Sequence, residues 1–138
     1  MEQKPEKTTC RIYLKGKKIT DIGSFYKHIN KQLMQEEDWK IAASLDAFDD
    51  LLYGGFSKWK DYDQLEIVWE DIEISQQHLG FDTTMKYYQS KIYPGSPYNQ
   101  SLFRQKIKSL ENGNGQTYFD LLIAVINNHK DRVKLIRK

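Results

Sequence analysis

Three short β-prone runs, set far apart, constrain this chain more than any other feature. Arg11-Ile12-Tyr13-Leu14 ends in the turn-like Lys15-Gly16-Lys17-Lys18, Leu65-Glu66-Ile67-Val68-Trp69 is almost continuously apolar, and Arg132-Val133-Lys134-Leu135-Ile136 closes the chain. A half-exposed strand alternates polar and apolar residues, whereas one covered on both faces does not, so the run centred on Ile67 belongs in the middle of a sheet. The intervals between runs are roughly 50 and 60 residues, far beyond a hairpin and long enough for helical crossovers, which make neighbouring strands parallel. Right-handed crossovers then set the outer strands on either side of the central one. The expected fold is α/β, a small three-stranded parallel sheet covered by helices.

The intervals themselves read as helices. Ile22, Phe25, Tyr26, Ile29 and Leu33 recur at helical spacing, with Thr20 or Asp21 as cap, predicting a helix over Asp21 to Met34. A shorter helix starts at Ser44 and stops at Gly54-Gly55, where glycine accepts the left-handed conformation of a helix end. Polar helical patterns follow over 71–80 and 83–92, separated by Gly80-Phe81-Asp82 and ended by Pro94-Gly95-Ser96-Pro97. A helix over 101–110 leads to the turn Asn112-Gly113-Asn114-Gly115, and Phe119, Leu122, Ile123, Val125 and Ile126 mark an apolar helix before the last strand. A chain of 138 residues with 39% hydrophobic content sustains one core. We therefore expect a flexible polar tail over 1–9 and a single α/β domain over 10–138.

Cys10 is the only cysteine, which rules out an intrachain disulfide, fits a reducing compartment, and in its apolar setting reads as a small buried hydrophobe. The first nine residues lack the apolar core of a signal peptide, and the longest apolar stretch, Leu121 to Ile126, is far too short to span a bilayer. The expectation is a cytoplasmic protein without membrane contact.

Net charge is only +2, yet it is unevenly laid down: +5 over 1–35, −10 over 36–82 and +7 over 83–138. An acidic middle steers a partner of opposite sign toward one face. The acid concentrates in Ser44-Leu-Asp-Ala-Phe-Asp-Asp-Leu-Leu-Tyr-Gly-Gly. Leu45, Phe48 and Leu52, with Leu51 beside them, form the core-facing stripe, while Asp46, Asp49, Asp50 and Tyr53 fall together on another face. Like charges at this spacing repel by a few tenths of a kcal/mol per pair, roughly, and aspartate is a mediocre helix former. Asp46 serves the helix dipole whatever the function; Asp49 and Asp50 lie past the first turn and need another reason. The neighbouring aromatics Trp39, Tyr53, Phe56 and Trp59 favour a protein interface, in which rings anchor and charges select. The bland alternative is a solvated acidic face beside core aromatics.

Other chemistries fit less well. The carboxylates lack calcium-loop spacing and the central glycine, so no metal and no cofactor are expected. His28, His78 and His129 are scattered, and Gly113-x-Gly115 follows no strand, so no catalytic constellation emerges. Lys15, Lys17, Lys18, Arg132, Lys134, Arg137 and Lys138 raise RNA binding through the basic ends as an alternative, but scattered lysines ordinarily solvate, and direct nucleic-acid binding is not expected.

The chain resembles the barstar family of ribonuclease inhibitors. The likeness rests on Lys15-Gly16-x-x-Ile19-x-x-Ile22-x-x-Phe25, on Leu45-Asp46-Ala47-x-x-Asp50-x-Leu52-x-Gly54, and on Leu65 to Trp69; it is close over roughly 11–70 and elsewhere a matter of layout. It implies a barstar-like fold and an intracellular inhibitor whose second helix plugs the cleft of a basic ribonuclease in a 1:1 complex. Asp46 and Asp50 match the family's contact positions, with Asp50 expected in a phosphate site of the nuclease; Asp49 stands where barstar has an aromatic residue, and with Tyr53, Trp39, Ser44, Gly54 and Phe56 it completes the partner surface expected from the helix and its aromatic neighbours. Ala42-Ala43-Ser44 stands where the family commonly has Gly-x-Asn, and Asn127, Asn128 and His129 fall where barstar carries acidic contacts on its last helix. An interaction module of the same fold with a non-nuclease partner is the alternative.

Overall fold

The computed structural model describes residues 8–138. Strand β1 (Thr9–Lys15), helices α1 (Ile22–Leu33) and α2 (Leu45–Leu52), strand β2 (Gln64–Glu70), helices α3 (Ile72–His78), α4 (Phe81–Gln89), α5 (Gln100–Glu111) and α6 (Tyr118–Asn127), and strand β3 (Val133–Arg137) follow in order. Single 3-10 turns occupy Gly16–Lys18 and Lys58–Asp61.

The strands form one parallel sheet in the order β1-β2-β3, with Ile12 opposite Ile67 and Ile67 opposite Leu135. β2 is central, and Leu65, Ile67, Val68 and Trp69 are buried, which accounts for its missing alternation. β1 alternates strictly, with Cys10, Ile12 and Leu14 inward and Arg11, Tyr13 and Lys15 outward. Burial also raises the Cys10 thiol pKa.

The buried apolar side chains form one cluster, in which Phe25 of α1 meets Phe48 of α2 edge-on and lies along Trp69 of β2. Polar groups inside this core are paired. The Tyr26 and Tyr118 hydroxyls share a 2.6 Å hydrogen bond between α1 and α6, and Tyr118 N–H donates to Thr84 of α4. Trp69 Nε1–H donates to Ser75 Oγ, whose hydroxyl donates to the Gly16 carbonyl. Gly16 is pressed so closely on the turn after β2 that an added Cβ would lie 2.3 Å from the Glu70 and Asp71 carbonyl oxygens. No side chain fits there.

The structure moves two sequence-derived boundaries. Residues 1–7 of the expected tail lie outside the described residues, but Thr8 receives hydrogen bonds from the Asp63 and Gln64 amides, and Thr9 opens β1. Pairing with β2 captures them, a gain invisible in local composition. Gly80-Phe81-Asp82 is less of a break than expected, since Gly80 caps α4 and both following residues are helical. Among the described residues no helix is long and apolar enough to cross a membrane.

Candidate partner-binding site

Helix α2 is short, and both ends are tied down. Ser44 Oγ accepts the Ala47 amide at 3.1 Å as N-cap. The loop leading in is held by Asn30 of α1, whose amide oxygen accepts Ile41 N–H at 2.9 Å while its NH2 donates to the Ile41 carbonyl. At the other end Trp59, fully buried, donates its indole N–H to the Leu51 carbonyl at 3.0 Å. The Arg132 guanidinium lies 4.7 Å over the Trp59 ring and donates to the carbonyls of Tyr53, Tyr62 and Asp63. A cation at a helix C-terminus satisfies orphan carbonyls and complements the dipole. Gly54 takes φ +84°, and a Cβ there would sit 2.9 Å from the Trp59 ring.

This bracing fixes which way each side chain of α2 points. Phe48, Leu51 and Leu52 are buried, and Leu45 is half-buried against the core. Asp46, Asp50 and Tyr53 are exposed, Tyr53 at 65%. Among the described residues neither the Asp46 nor the Asp50 carboxylate has an ion-pair partner. Asp49 departs from the expected row of presented acids, because its Oδ1 accepts a 2.6 Å hydrogen bond from His129 Nε2–H, just past α6. A carboxylate only accepts, so the proton sits on Nε2. The His129 ring is largely enclosed and meets Tyr53 edge-on at 4.6 Å. This pairing gives Asp49, which enters two of the three like-charge pairs of the helix, a donor of its own.

Other expected site residues divide by role. Trp39 is exposed and packs against half-buried Phe56 at 5.0 Å, joining the loop before α2 to the segment after it. Ser44 acts as a cap and Gly54 as a buried turn residue, so both shape the helix from behind. Trp59, one of the aromatics expected near the interface, lies wholly in the core. Arg132 is not free for RNA, since it donates to the end of α2, and it precedes β3 while Arg137 and Lys138 lie at the opposite end of that strand. A shallow cleft of about 180 Å³ is lined by Leu52, Tyr53, Asn128, His129, Asp131 and Arg132. Among the described residues no cluster of His, Cys, Asp and Glu is arranged to hold a metal ion.

Residues 10–89 match the family model for Barstar (barnase inhibitor). The chain belongs to the Barstar family. No curated protein matches it. The family is one of ribonuclease inhibitors, and the three-stranded parallel sheet agrees with its fold. The Barstar match spans β1 through α4, so all of α2 lies within it. His129 and Arg132, which brace α2 from behind and from its end, lie beyond it. Sequence periodicity had no means of finding them, since His129 and Asp49 are 80 residues apart; only the family alignment of Asn127 to His129 pointed there.

Proposed function

We propose that this Barstar-family protein binds a basic ribonuclease in a 1:1 complex in the cytoplasm and blocks the active-site cleft with α2. The observation that carries this reading is the pair of unengaged carboxylates, Asp46 and Asp50, projecting from a helix held rigid at both ends. A cleft that binds RNA phosphate presents cationic donors, and a carboxylate accepts from them through charge-assisted hydrogen bonds as a phosphate does. Rigidity matters because the helix loses little freedom on docking. Asp50 occupies the phosphate position, Asp46 flanks it, and Tyr53 and Trp39 supply apolar contact on either side. Asp49 contributes indirectly by fixing His129 against Tyr53.

Isothermal titration against barnase and against basic ribonucleases captured from the source organism tests this. Asp50→Ala should weaken the complex about tenfold or more, the loss expected when a charged hydrogen bond is removed, at roughly 1.5–3 kcal/mol. Asp46→Ala should follow and Asp49→Ala should cost least. An Asp50→Ala protein that binds and inhibits as tightly as the unaltered one overturns α2 as the plug. A partner captured through α2 that is no nuclease would instead establish the interaction-module alternative.

A further inference from the structure

Helices α4 and α5 and the loop between them form a surface of opposite character to α2. From 83 to 110 the sequence contains Lys86, Lys91, Arg104, Lys106 and Lys108 and no acidic residue. None of the five is in an ion pair among the described residues. The fold interleaves two of these cations with rings. The Lys91 ammonium lies 4.9 Å from the Tyr87 ring and 4.3 Å from that of Tyr98. Lys106 lies 5.7 Å from Tyr88 and 5.9 Å from Phe103. Tyr98 meets Phe103 edge-on at 6.0 Å, which links the two sets into one ladder. Its outer ring, Tyr98, is open at 45% exposed, and Tyr93, in the same loop between α4 and α5, is equally exposed.

We propose that this ladder binds single-stranded RNA, bases stacking on Tyr98 and Tyr93 while the ammonium groups meet phosphates. Three physical points favour this occupant. Rings held in place by packed cations cost little to order. A compact ammonium beside an open aromatic face matches the alternation of phosphate and base along a single strand. The only acids of the two helices, Asp82 and Glu111, stand at the outer ends of the hairpin, so the field is positive along 83–110 and a polyanion gains there. The surface is distinct from the basic chain ends, where lysines stand apart from rings. It is also independent of α2, so ribonuclease binding and RNA binding stand or fall separately.

Fluorescence anisotropy with a labelled, mixed-sequence single-stranded RNA of about 12 nucleotides decides the matter. The full chain should bind at low salt, with log K falling against log salt at a slope no steeper than about −3.5, some −0.7 for each of five cations. Tyr98→Leu should weaken binding about fivefold or more while Tyr98→Phe retains it, because stacking needs the ring and not the hydroxyl. Lys91→Gln/Lys106→Gln should weaken binding far more than Lys17→Gln/Lys18→Gln, which removes the same charge elsewhere. Equal losses from the two lysine pairs, or no loss from Tyr98→Leu, would overturn the proposal in favour of diffuse charge attraction. Displacement of the RNA by poly-glutamate, with Tyr98→Leu indifferent, would reassign the surface to an acidic protein. Circular dichroism melts of each variant confirm that it is folded.

Discussion

Gly54 and His129 show how single residues set the posture of α2. At φ +84° a non-glycine residue incurs about 1–2 kcal/mol, and the Cβ of alanine would also press on the Trp59 ring at 2.9 Å. Gly54→Ala should therefore lower unfolding stability by about 2 kcal/mol or more in denaturant titration, and an unchanged midpoint would mean that the turn relaxes freely. The Asp49–His129 pair has a different signature, because its members meet across two elements. A double-mutant cycle of Asp49→Ala and His129→Ala, read on stability, should return a coupling of about 0.5 kcal/mol or more. Strict additivity would reduce the hydrogen bond to a coincidence of neighbouring side chains. Ribonuclease affinity should fall less for His129→Ala than for Asp50→Ala, since His129 acts through Tyr53 and Asp49.

At the scale of elements, α2 is the case in which local sequence and tertiary context divide the work. Its start was legible because a Ser hydroxyl three residues before an amide is a local device; its apolar stripe was legible because Phe48, Leu51 and Leu52 obey helical spacing. Ser44→Ala should cost about 1 kcal/mol of stability and Ser44→Asp little, both measured by thermal unfolding. Parity between alanine and aspartate at this position would show that packing alone holds the first turn. The posture of its acids was not legible. Composition placed Asp46, Asp49 and Asp50 together, but only the fold turns Asp49 toward His129 and leaves the other two outward. The same limit explains Trp59, which looked like a charged-loop residue, and Arg132, which looked like part of the last strand and its basic end: their partners, the Leu51 carbonyl and the end of α2, are remote from the local pattern. β2 sits at the other extreme, where continuous burial printed itself on the sequence, and the parallel order followed from crossover length alone.

Across the whole molecule, the core holds its helices together through a polar contact that no periodicity announced, the hydroxyl pair Tyr26 and Tyr118 joining α1 to α6. Burial is the main cause that raises both phenols, Tyr118 to about 12 and Tyr26 above the ordinary tyrosine range. Both hydroxyls are thus neutral in the native state at pH values where an unfolded phenol, ionising near 10, has begun to lose its proton. The unfolded chain then binds fewer protons than the native one, so stability falls as pH rises above about 10, by roughly 1.4 kcal/mol per pH unit for each phenol until its native pKa is reached. Below pH 10 the contribution is present in full. Replacing both residues, as Tyr26→Phe/Tyr118→Phe, removes the titrating groups together and avoids stranding one hydroxyl without a partner. Denaturant midpoints measured from pH 8 to 12 should decline steeply for the native sequence and more gently for the double variant. Parallel declines would place the alkaline sensitivity elsewhere, in lysines that lose their charge over the same range, and the hydroxyl pair would be left with a packing role alone.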